Sequence, residues 1–477
     1  MLAPAFVLIA ASAEAQTIAL DGIVITSTKT EEAAIDVLGG SSAIGRTQLD
    51  TEFQPDKVSE VLRTMPGVTT QETARDTATA VNIRGLQDFG RVNILIEGAR
   101  QNFQRSGHTA NGVFYIEPEM IKRVDVTRGP TATIYGSGAI GGVVAFDLLD
   151  ADDILKPGET MAGRLRTRGS TNDEGKLASQ TAAVRIGNFD IVGQLNGRWS
   201  NDYKDGDGNV VPGSNDTTKS GFLKARWRLA PGHTLTGTYI GFNSKFEDQV
   251  DSEGALRDTA VNNRQMTLGY TFTSPSNPLI DFNAKVYKNT TELEQIRKTS
   301  TSATQYDPSL FPFFPPAPYP PAACAHIPGS TPIFVGQGAC SSTTTFPSGS
   351  QRSFNVDTVG FDVHNTSRLN WGSTGLALTY GGDLFRDRVN NFDPFEAGDE
   401  LTPSGERQVS GAFIQAHLKM FDTVDVIGAM RYDSYQLESN TTQNSGERVS
   451  PKATIGYTPL PGFTFFTTYA EGYRAPA

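Results

Sequence analysis

Five histidines and two cysteines are the side chains of this sequence best suited to hold a metal. Cys324 and Cys340 lie sixteen positions apart in a Pro-rich segment, a spacing that fits neither a zinc site nor a thioredoxin-like pair. In an oxidising compartment they would close a loop as a disulfide; two free thiols are the other reading. His233 falls in a short turn, and His364 and His417 fall in strand-like runs, so surface or wall positions account for all three. His108 differs. It sits in a polar, loop-like stretch, Gln101-Asn102-Phe103-Gln104-Arg105-Ser106-Gly107-His108-Thr109-Ala110-Asn111-Gly112, where an imidazole would be reachable from solvent. On the residues alone, such a histidine is idle more often than it is a ligand. Hydrolase chemistry finds no support, because neither a Gly-x-Ser-x-Gly elbow nor a His-Glu-x-x-His helix occurs. Gly136-x-Gly138-x-x-Gly141 matches a dinucleotide fingerprint in letters, but that motif must open a helix, and the strand-like Val143-Val144-Ala145-Phe146 follows it here. No enzyme is expected.

The elements that must carry these residues fall into two textures. Residues 20–148 mix short periodicities with many glycines, whereas residues beyond about 155 read as long alternating strands. In Phe189–Ser200, Phe189, Ile191, Leu195 and Trp199 take one parity, and Asp190, Gln194, Asn196 and Arg198 the other. Leu223, Ala225, Trp227 and Leu229 alternate in the same way with Lys224, Arg226 and Arg228, as do Val424, Val426, Met430 and Tyr432 with Asp425, Arg431 and Asp433. A period of two with one polar face is the signature of a half-buried strand. Alternation alone leaves a soluble sandwich and a membrane barrel both open. Loop lengths separate them: short links near 187–188, 230–233, 274–278, 371–374, 421–423 and 459–462 alternate with long ones near 201–219, 246–263, 295–352, 390–407 and 438–449. That sorting by end is expected of an outer-membrane barrel with tight periplasmic turns and longer outer loops. About thirteen strands are expected.

Composition agrees. The chain has 477 residues, too many for one small core, and its 48 glycines exceed the usual share of roughly 7%. No run of 18 apolar residues occurs, which removes a transmembrane helix but leaves a barrel open. A net charge of −11 argues against nucleic acid as a partner. Residues 3–12 are small and apolar and run into Ala13-Glu14-Ala15, like a secretory leader that lacks a basic start; a frayed terminus is the alternative. The long segment 295–352 carries Phe311-Pro312-Phe313-Phe314-Pro315-Pro316, both cysteines and His326. It reads either as a stiffened cover over a pore mouth or as a disordered insertion.

Val81-Asn82-Ile83-Arg84-Gly85, Arg91–Gly98, Ile121–Pro130 and Tyr135–Val144 are spaced as strands joined by glycine turns. Together they closely resemble the plug domain of the TonB-dependent outer-membrane receptors. The resemblance implies a β-rich α+β plug inside an antiparallel transmembrane barrel of 22 strands, of which about thirteen are present. The expected division is a leader at 1–15, a coupling segment at 16–30, the plug at 31–148 and the barrel from 149 to 477. Within 16–30, Ile23, Val24, Ile25, Thr26 and Ser27 resemble the TonB box, a β-prone segment able to add to a partner's sheet edge; an ordinary first strand is the alternative.

The region around His108, with Glu117–Val124 after it, resembles the haem and haemoglobin receptor branch. This implies that His108 is an axial ligand of haem iron on the plug's outward apex, a role that neutral imidazole suits. Phe463–Pro476 resembles the strand entering that branch's FRAP box, with Tyr473 in place of the Phe. The branch carries a second haem-ligating histidine beyond this motif, shortly before an Asn-Pro-Asn-Leu sequence, and Ala477 comes first. The chain is therefore expected to be part of a larger receptor, because thirteen strands would leave an open edge in lipid. His326 is a speculative substitute contact. The implied function is TonB-dependent uptake of haem, free or extracted from haemoglobin, across the bacterial outer membrane. Haem would be cargo rather than cofactor, and a TonB-type protein and outer-membrane lipid would be the partners. A ferric-siderophore receptor is the rival within the family, and a passive porin or adhesin the rival outside it.

Overall fold

In a computed structural model of the chain, Leu195 is 72% exposed, while Gln194 and Asn196 beside it are buried. The same inversion recurs at Leu223 and Trp227 around buried Lys224, and at Met430 and Tyr432 around buried Arg431 and Asp433. A sandwich would bury the apolar parity. Here the apolar face looks outward and the polar face inward, as a sheet does when its outer solvent is lipid. The structure describes residues 24–25, 32–33, 38–72, 77–87, 90–103, 112–249, 256–306, 341–392, 404–439, 442–460 and 463–476.

Thirteen strands form one sheet in strict chain order, each antiparallel to the next: Met161–Gly169, Lys176–Ile186, Phe189–Ser200, Asp216–Ala230, His233–Gln249, Leu256–Thr273, Asp281–Arg297, Gln351–Trp371, Thr374–Phe392, Gly405–Met420, Val424–Ser439, Gln443–Leu460 and Phe463–Ala470. Among the described residues, no helix is long and apolar enough to cross a membrane.

Two expected long links are shorter than their sequence implies. The strands reach Gln249 and resume at Leu256, where a loop over 246–263 was expected, and they reach Ser439 and resume at Gln443 in place of a loop over 438–449. The reason is physical. Beyond the bilayer both faces of a hairpin meet water, so alternation fades from the sequence while backbone pairing continues. Over 295–352 the walls likewise continue as a paired ribbon, Thr301–Tyr306 with Ser341–Phe346.

The N-terminal domain packs against the inward face of this wall. Its main sheet has the order Gly40–Gly45, Ile121–Arg128, Gly142–Leu148, Val92–Ile96, Ala99–Arg100, with Gly142–Leu148 parallel to Val92–Ile96 and the other pairings antiparallel. A second sheet joins Val68–Gln71, Ala80–Ile83 and Leu86–Gln87. Short helices such as Val58–Leu62 complete a mixed, β-rich domain. Its core includes Leu62, Ile83, Val124, Val144 and Phe146, all fully buried. The glycine-rich stretch follows the short helix Ala132–Tyr135 and leads into a strand, the reverse of a dinucleotide motif. At Gly142, with φ +147°, a Cβ would collide with the Thr127 carbonyl oxygen, so the residue permits two strands to close up.

Candidate functional site

The plug meets the wall through charged side chains that the strand alternation aims inward. Arg198 of the wall holds Glu117 of the plug with Nη2–Oε1 at 2.8 Å and Nε–Oε2 at 2.9 Å, and Arg198 Nη1 reaches Asp56 at 3.0 Å. Lys224 lies between Glu97 at 3.0 Å and Asp150 at 2.8 Å, and Lys122 approaches the other oxygen of Asp150 at 2.9 Å. Burial works to raise the Asp150 pKa, but the two ammonium groups outweigh it and hold the carboxyl at about 2. Arg164 and Arg166 of the wall take Asp50 at 3.2 and 3.1 Å. Burial opposes ionisation of Asp50 too, and Arg46 with these two arginines overcomes it, so its pKa falls. Glu119 is pushed upward because its burial is compensated less fully.

Asp150 and Asp153 also form a reciprocal capping box at the turn leading into the first wall strand. The turn thus joins the plug to the barrel through both covalent chain and charge.

At the long-loop end the plug is wrapped by aromatic side chains. Phe103 and Tyr115 of the plug pack in one buried cluster with Phe242, Phe246 and Phe354 of the wall. Asn102 donates to Asp387 at 3.0 Å, and Asp387 is held by Arg407 at 2.6 Å. The Val113 N–H donates to the Phe103 carbonyl at 3.3 Å and ties the base of the intervening segment. His108 belongs to that segment, 104–111, and lies outside the described residues. So do His326, Cys324 and Cys340.

Of the coupling segment, Val24–Ile25 forms a two-residue strand antiparallel to Glu32–Ala33. Ile23, Thr26 and Ser27 lie outside the described residues. The remaining histidines occupy the wall: His233 stacks on Phe272 at 3.9 Å, His364 bonds Asp362 at 3.1 Å, and His417 bonds Asp425 at 2.8 Å.

Beyond the last wall strand the chain turns inward onto the plug's glycine-rich turn. The Gly138 N–H donates to the Tyr473 carbonyl at 2.9 Å, and the Ala475 N–H donates to Ser137 Oγ at 2.7 Å. Sequence reasoning singled out this motif but not its seat. It placed Arg198 and Lys224 on the polar face without their plug partners, and it missed Asp387.

Comparison with known proteins places these features. Residues 33–143 match the TonB-dependent Receptor Plug Domain, and residues 193–477 match the TonB dependent receptor-like beta-barrel. The chain is 24% identical over 467 residues to the Hemin receptor of Yersinia enterocolitica, covering 96% of itself and 59% of that protein. It is 21% identical over 495 residues to the TonB-dependent heme receptor A of Haemophilus influenzae, covering 92% of itself and 60% of that protein. It thus spans about 60% of the length of these curated relatives. Among solved structures, the Serratia marcescens hemophore receptor HasR, in complex with its hemophore HasA and heme, superposes with a TM-score of 0.74 at 23% identity. That match covers 93% of this chain and 64% of HasR, and at such identity the likeness is one of fold.

Proposed function

Since the chain belongs to the TonB-dependent receptors of the bacterial outer membrane, which are transporters and not enzymes, we propose that it serves the active uptake of haem. The observation that carries this reading is the seat of the two residues that bracket the segment with His108. Phe103 and Val113, which flank 104–111, pack among wall aromatics at the end where the long loops gather. The relatives named above, a hemin receptor and a heme receptor, point to the same ligand.

In this reading His108 supplies one axial ligand to the iron. Capture is followed by mechanical work, because the outer membrane offers no nucleotide. A TonB-type partner would take Ile23–Ser27 by strand addition. The pairing of Val24–Ile25 with Glu32–Ala33 supports this role, since a segment already extended and edge-paired can exchange one sheet for another at little cost. Pulling would then load the plug–wall ion pairs in turn.

The test is H108A in the full-length receptor. Hemin binding at the cell surface, read from the Soret band, should fall at least tenfold, and growth on hemin as iron source should slow. Unchanged binding and growth would favour a ferric siderophore as cargo instead.

A further inference from the structure

Two cavities lie in the seam between plug and wall, and one side chain of the plug lines both. The larger is a chamber of about 580 Å³ between Leu95, Tyr135 and Ala145 of the plug and the middle strands of the wall, Leu256–Thr273 to Thr374–Phe392. It runs down to Asp281 and Arg368, whose side chains are 33% and 41% exposed beside the short link of 274–280, so it opens toward the periplasmic turns. The smaller, of about 30 Å³, lies toward the long-loop end among Asn102, Phe103, Val113 and Arg407 and has room for about two waters.

Arg100 belongs to both linings. Its guanidinium donates to the Tyr135 carbonyl on the chamber side and to the Ser137 carbonyl, at 3.3 Å, on the other, and it lies 4.6 Å from the centre of the Phe385 ring of the wall. Plug and wall thus meet across this side chain, which forms the neck between the two cavities. Arg100 is 7% exposed, and among the described residues it forms no ion pair. Asp387, which accepts from Asn102, is answered by Arg407 at 2.6 Å. A buried guanidinium held only by neutral groups carries a desolvation cost that an uncharged side chain of equal length would avoid.

The chamber below has the opposite sign. Asp147, Asp281, Asp362 and Asp383 line it, and Lys285 and Arg368 are its cations besides Arg100. Ion-pair partners outside the lining do not cancel the surplus, because each is divided between two carboxylates. Arg123 serves Asp147 at 2.6 Å and Asp125 at 3.1 Å, and Arg431 serves Asp383 at 2.7 Å and Asp433 at 2.8 Å. An acidic chamber open to water draws small cations, and a fixed positive charge at its neck turns them back.

We propose that this seam is a latent path for water and small monovalent cations, and that Arg100 seals it by its charge as well as its bulk. Ala99–Arg100 is the edge strand of the main plug sheet, paired with Val92–Ile96 on one side, so the seal rides on the part of the sheet with the fewest bonds to break. The seal acts whatever the cargo is.

The experiment is conductance of the purified full-length receptor in planar bilayers under a KCl gradient, without hemin. R100Q should raise the conductance roughly tenfold or more over wild type, with a reversal potential on the potassium side, and R100K should stay near wild type. Adding D362N to R100Q should move the reversal potential toward zero. An R100Q receptor as tight as wild type refutes the neck, and R100K leaking as much as R100Q refutes the charge barrier. A leak that favours chloride, or that also passes a tetrasaccharide in liposome swelling, refutes the acidic seam as the path. Where R100Q does not assemble, R100M, which keeps the length and drops the charge, gives the same readout.

Discussion

Arg198 and Glu117 face each other fork to fork across the boundary between wall and plug, with bonds of 2.8 and 2.9 Å and the Glu117 side chain only 2% exposed. Together with the Arg198–Asp56 contact at 3.0 Å, the pair pins one edge of the plug to the third wall strand. A buried pair of this kind adds little net stability when intact, but removing one partner strands a charge.

Arg198→Ala should therefore weaken plug seating by about 3–5 kcal/mol, and a double change with Glu117→Gln should recover part of the loss. Passage of small solutes through the full-length receptor in liposomes measures this. Equal leakage from the single and double variants would contradict the stranded-charge argument.

The Asp150 carboxyl predicts an acid limit. Its pKa in the folded chain is about 2 against an ordinary 3.8, so it contributes stability above pH 4 that is lost as pH falls through 2. At neutral pH, Asp150→Asn should cost about 2 kcal/mol, and the gap to wild type should close between pH 4 and pH 2. Thermal melts of the solubilised receptor across that interval give the comparison.

Lipid exposure of Leu195 is open to direct trial. It stands midway along Phe189–Ser200 on the outward face, so Leu195→Arg should destabilise the barrel by about 2–4 kcal/mol. Urea unfolding in vesicles reports the difference, and a neutral result would place this face away from the hydrocarbon.

Coupling should be separable from capture. Ile25→Pro removes a backbone donor from the segment proposed to join a partner's sheet. Hemin should still bind at the cell surface while accumulation inside the cell falls to background.

How much of this was legible in the sequence depended on range. The parity of Phe189–Ser200 and of Val424–Ser439 could be read because a strand repeats every two residues, and the structure keeps both phases. Hairpin lengths near 246–263 and 438–449 could not, because water on both faces erases the alternation that marks a strand. Lys224 was visible as a polar-face residue, but its partners Glu97 and Asp150 lie far back in the chain, and nothing local names them. The seat of Tyr473 and Ala475 on the glycine turn has the same long-range origin. The positions of His108 and His326 lie outside the described residues, so their roles rest on the proposals above.

Several wall strands run well past what a bilayer requires: Gln351–Trp371 has 21 residues and Thr374–Phe392 has 19, whereas about 9–11 tilted residues suffice to span it. The surplus stands above the lipid headgroups as a rigid chimney roughly 20–30 Å tall at the usual rise per residue. In the uptake reading proposed above, a large solute would meet the dimensions of that wall before the chemistry of its floor.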